Sequence, residues 1–133
     1  MILLTEATKD WVHEDGWRIA PAGVPWIKEG YQIMVGENVY IGEGVEIGEA
    51  VHIGEEVLIC DWVYIGHGVR ISDRVRIRKN VTISDDVTIG DGVYISDAAR
   101  IGRKVTIGKS AIINHGANIL EATIIKDRAG IVY

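Results

Sequence analysis

Four side chains in this sequence carry an imidazole, the group that serves most often as a general base: His13, His52, His67 and His115. His67 stands in Ile65-Gly66-His67-Gly68, with Glu49 and Asp85 eighteen residues to either side. His115 stands in Asn114-His115-Gly116, with Asp97 eighteen residues before it. A carboxylate neighbour can orient an imidazole, and a flanking glycine leaves room beside it. His115 and His67 are therefore the best candidates for chemistry, with Asp97 and Asp85 as possible orienting carboxylates. His52 falls mid-strand in Val51-His52-Ile53, and His13 lies outside the repeat described below. For each histidine the plain alternative is a solvent-facing or charge-paired side chain. Cys60 is the only cysteine, so neither a disulfide framework nor a cysteine-based zinc site is available.

The elements that must position these residues follow a period of six. Every sixth residue from Ile41 to Ile131 is isoleucine, sixteen positions without a miss, and Val35 extends the series upstream. The residue two before each is Val from Val39 to Val93 and again at Val105, then Ala99, Ala111, Ala117, Thr123 and Ala129. Six is a multiple of two, which suits strands and not a helix of 3.6 residues per turn. In Val-x-Ile both β-branched residues face inward and x faces out. Gly follows at Gly36, Gly42, Gly48, Gly54, Gly66, Gly90, Gly102 and Gly108, and Ser at Ser72, Ser84 and Ser96. Small residues there predict a tight corner, with Gly tolerating its backbone angles. Each hexad is thus a short strand plus a corner.

The run resembles the hexapeptide repeat of left-handed parallel β-helix proteins, as in Ile41-Gly42-Glu43-Gly44-Val45-Glu46. The resemblance covers residues 33–133 and implies a triangular prism with three hexads per coil, about 5–6 coils in all and about 27 Å tall at ~4.8 Å per coil. It also implies two chemistries. One is acyl transfer from acyl-CoA or acyl-carrier protein to a small acceptor, with a histidine as general base in a cleft between subunits of a homotrimer. His115 and His67 would be the bases, and Lys104, Lys109, Lys126 and Arg128 could meet a CoA phosphate. The other is a γ-class carbonic anhydrase, a distant third reading. Its pair of histidines five apart does not occur here, and no metal or covalently bound cofactor is expected. The acyltransferases usually interrupt the prism with a loop, whereas this run is unbroken, and their Gly-x-Pro-Ala segment has only Gly23-Val24-Pro25 as an echo. An unbroken prism equally suits a non-enzymatic trimeric module, a scaffold, spike or binder of a small anionic ligand.

Residues 1–32 do not repeat and hold Trp11, Trp17, Trp26, Pro21 and Pro25; they read as an N-terminal cap over the first coil, with a ligand site on the tryptophans as the alternative. The outward column Tyr40, Leu58, Arg76, Tyr94, Ile112 is apolar for solvent, and Trp62 near Tyr64 is similar; these residues are the expected trimer interface. Charge is segregated along the chain. Residues 33–67 carry seven acids and no Lys or Arg, while residues 68–133 carry eleven Lys/Arg against seven acids. The basic run Arg70, Arg74, Arg76, Arg78, Lys79 could attract an anion, but eighteen-residue spacing mostly stacks opposite signs, which reads as pairing between coils. The overall charge of −5 argues against nucleic acid, and no apolar run is long enough for a membrane span or signal peptide. The expected location is the cytoplasm, or a particle assembled there.

Overall fold

The computed structural model describes residues 2–3, 7–8, 10–14, 17–20 and 26–133. Pro21 and Pro25 lie outside the described residues. The hexads form a left-handed parallel β-helix of about six turns. Three sheets make its faces. The first face stacks Glu46–Ile47, Tyr64–Ile65, Thr82–Ile83, Arg100–Ile101 and Asn118–Ile119. The second stacks Ile33–Val35, His52–Ile53, Arg70–Ile71, Thr88–Ile89, Thr106–Ile107 and Ile124–Ile125. The third stacks Tyr40–Ile41, Leu58–Ile59, Arg76–Ile77, Tyr94–Ile95, Ile112–Ile113 and Ile131–Val132. Partners in neighbouring coils are eighteen residues apart, as in Tyr64↔Thr82 and Arg70↔Thr88.

The inward Val and Ile are shielded from water, most of them completely, and form one continuous core. Each coil adds its apolar side chains to the columns above and below, so burial accumulates coil by coil. The alternation of exposed and buried residues along each strand follows directly from the pleat.

The corners differ from the expectation in an informative way. The glycines after isoleucine do not supply the left-handed backbone. That conformation falls on the last residue of the hexad, at φ between +53° and +70° from Asn38 through Arg128, where Asn38, Glu56, Trp62, Arg74 and Lys104 all adopt it. Glycine after isoleucine instead lets the next coil approach closely. A Cβ at Gly36 would sit 2.7 Å from the Gly54 carbonyl oxygen, and one at Gly90 would sit 2.9 Å from the Lys109 nitrogen.

Stacked corner residues are also joined differently from the expected charge pairs. Several of their side chains accept a hydrogen bond from the backbone N–H one coil earlier. Asp61 accepts from Glu43, Asp73 from Glu55, Asp85 from His67, Asp97 from Lys79 and Asp127 from Lys109, at 2.8–3.1 Å. The two ion pairs among the described residues, Arg74–Asp91 and Arg78–Asp97, are both 3.9 Å long and off the eighteen-residue register.

The last coil slips by one residue. Ile112 pairs with Ile131 and Ile113 with Val132, nineteen apart. Ile131 therefore points outward at 55% exposure and Val132 turns inward, reversing the side expected from the hexad count. Ala129 is exposed as well. Gly130, at φ +81°, absorbs the additional residue.

At the other end the N-terminal segment lays one antiparallel strand along the first strand of each face. Ile2–Leu3 pairs with Glu46–Ile47, Trp17–Ile19 with Tyr40–Ile41, and Trp26–Lys28 with Ile33–Val35. Val12–Glu14 adds a further strand outside Trp17–Ile19. Three edges that would otherwise offer free N–H and C=O groups are thereby paired. Trp11 is buried and meets Trp26 edge-on, ring centroids 5.3 Å apart, above the core. Trp17 does not join them; it packs edge-on against Tyr40 on the third face.

Candidate functional site

The two leading histidines stand on different edges of the prism. His67 follows the first face and His115 follows the third. Both are exposed. His67 is held by the corner ladder: its Nδ1 accepts the Glu49 N–H at 2.9 Å, while its own N–H donates to Asp85 Oδ1 at 2.9 Å. In the neutral ring that bond assigns the proton to Nε2, so the basic nitrogen faces the backbone. Asp85 meets the His67 backbone and not its imidazole.

His115 has no such bond among the described residues. The adjoining Gly116 has open space where a Cβ would stand. Asp97, one coil earlier, aims Oδ1 at the Lys79 N–H and lies 3.9 Å from Arg78 Nε. His52 lies outward on the second face between Met34 and Arg70, and His13 lies opposite Arg18 in the outer N-terminal strand pair.

The cationic set is divided. Lys109, Lys126 and Arg128 share the edge after the second face, whereas Lys104 stands on the edge after the first. The interface set is divided too. Tyr40, Leu58, Tyr94 and Ile112 line one column of the third face with Arg76 at its middle. Trp62 stands off that column, at the corner leading to the first face.

At the lower end of the third face a groove of about 430 Å³ is lined by Asn38, Tyr40, Glu56, Val57, Leu58 and Arg76. Asn38 and Glu56 escaped the sequence reading. Their signal was present, since they are eighteen apart at the corner entering the Tyr40–Leu58–Arg76 column. Among the described residues no three His, Cys, Asp or Glu side chains converge to hold a metal ion, and no helix is long and apolar enough to cross a membrane.

A family pattern agrees with the six-residue repeat. The bacterial transferase hexapeptide (six repeats) family pattern matches residues 50–85 and, shifted by one coil, residues 68–103. Together the two matches span residues 50–103, less than half of the chain, and they fall within the left-handed parallel β-helix of six-residue repeats described above. A Bacillus cereus chain described as a "putative acetyltransferase" aligns in structure with 21% identity and a TM-score of 0.47, over 78% of this chain and 70% of that one. No curated protein matches the sequence.

Proposed function

We propose that the protein is an acyltransferase-like enzyme that moves an acyl group from acyl-CoA or acyl-carrier protein to a small acceptor, acting as a homotrimer with its site between subunits. The observation that carries this reading is His115: an exposed imidazole not tied to the backbone ladder, beside a glycine with open space, on a transferase-type repeat. Its free nitrogen takes the proton from the acceptor hydroxyl or amine as that atom attacks the thioester carbon. The carbon–sulfur bond then breaks, and the departing thiolate recovers a proton. Lys109, Lys126 and Arg128, together on one edge, supply positive charge for CoA phosphates. Asp97 keeps one carboxylate oxygen outside its bond to Lys79, and that oxygen is the candidate to orient His115. The apolar column of the third face provides the subunit contact.

The test is acyl-CoA binding and thioester turnover, read as free thiol released. His115→Ala should lower turnover by about 10²–10⁴-fold. His67→Ala should preserve turnover while weakening the fold. Absence of any acyl-CoA binding at millimolar concentration would overturn the proposal. A second reading, a non-enzymatic trimeric module, is favoured by one observation: the corner carboxylates and His67 are occupied in holding coil to coil. That reading predicts a trimer without thioester turnover.

A further inference from the structure

Trp62 is 63% exposed and sits at φ +61°, where bulky side chains are rare. Elsewhere this corner position holds Gly, Ala, Ser or a polar residue, as at Gly68, Ala98, Ser110 and Asn80, so the coil does not require an indole. One face of the ring rests on Gly44, where a Cβ would collide with it. Tyr64, 39% exposed, stands two residues on at the start of the first face, between Glu46 and Thr82. Glu43 and Asp61 occupy the same corner as Trp62, one coil apart. No Lys or Arg occurs between residues 33 and 67, and neither ion pair among the described residues involves these acids. Lys79, the next cation up the column, makes no ion pair with Asp61.

We infer that this corner docks an arginine-bearing basic segment of a partner protein. A guanidinium stacks on the exposed indole face, and nearby carboxylates accept its N–H groups. The charge of the surroundings selects this occupant. Arg78 and Lys79 stand one coil above, yet a cation on the ring still meets the carboxylates of Glu43, Glu46 and Asp61, from which a neutral sugar would gain nothing. The surface shares a prism edge with His115, three coils away from it, and lies off the third-face column.

Calorimetric titration of the full-length protein with a hexa-arginine peptide tests the inference. Binding should weaken at least tenfold in Trp62→Gly, weaken in Glu46→Gln, and fall as salt is raised. Hexa-lysine, which cannot stack as a plane, should bind more weakly than hexa-arginine. Glycine accepts the left-handed backbone, so Trp62→Gly should melt no lower than the parent; Trp62→Ser, copying Ser110, is the second variant. Equal affinity in parent and both variants would overturn the inference. So would Trp62-dependent binding of cellohexaose with no binding of hexa-arginine. Loss of self-association in Trp62→Gly would assign the corner to a second copy of this chain and overturn it as well.

Discussion

Single residues in this protein are constrained by the distance between coils more than by their own chemistry. Gly90 shows this, because its backbone angles suit any residue but its Cβ position is filled by the coil above. Gly90→Ala should cost about 1–3 kcal/mol through overpacking, read from the urea midpoint. Cys60 occupies the same hexad position and is buried. Burial pushes its thiol above the ordinary value of 9.0, while Arg78 pulls the other way. Above pH 9 the unfolded thiol loses its proton first, so the unfolded state binds fewer protons and stability falls as pH rises. The urea midpoint of the parent should therefore drop more between pH 8 and about 10 than that of Cys60→Ala. Equal slopes would refute the burial argument. His67 teaches a related lesson. Its flanking glycines and carboxylate neighbours were legible as a possible active site, yet the same features serve a ladder of backbone N–H bonds. Type and spacing are identical for both uses; only the direction of the ring separates them.

At the scale of the strand, the hexad count predicted all but the last coil. Strand partners eighteen apart follow from a repeat of six wound around three faces, and a one-residue shift would expose every inward isoleucine. That penalty weakens in the final coil, where Ile131–Val132 has a neighbour on one side. Gly130 then admits the slip through its positive φ. Replacing Gly130 with Val should restore the eighteen-residue register, because a β-branched side chain resists φ near +81°. An Ile131→Cys probe should react quickly with a thiol reagent in the parent background and slowly once Gly130→Val is added. The N-terminal pairing was invisible in sequence. Its strands are short, aperiodic and antiparallel to a parallel stack, and they are specified by the free edges they meet.

For the whole molecule, the question is what the outer surface meets. The third face exposes Tyr40, Tyr94 and Ile112 at 36–40%, flanking Arg76. If this column joins subunits as proposed, Tyr94→Lys should convert a trimer of 14.6 kDa chains into folded monomers in sedimentation at micromolar concentration. A monomeric parent would remove the trimer and weaken the acyltransferase reading with it. The core needed no structure to be read. Sixteen isoleucines on a six-residue period fixed the short inward-facing strands from the chain alone, while three faces and the coil count followed from the resemblance to hexapeptide-repeat β-helices. Tertiary structure decided which nitrogen of His67 is used, why glycine suits the position after isoleucine, and where the register slips. Those outcomes depend on contacts between coils, where a few tenths of an ångström and the direction of one ring set the result, and a linear pattern carries neither.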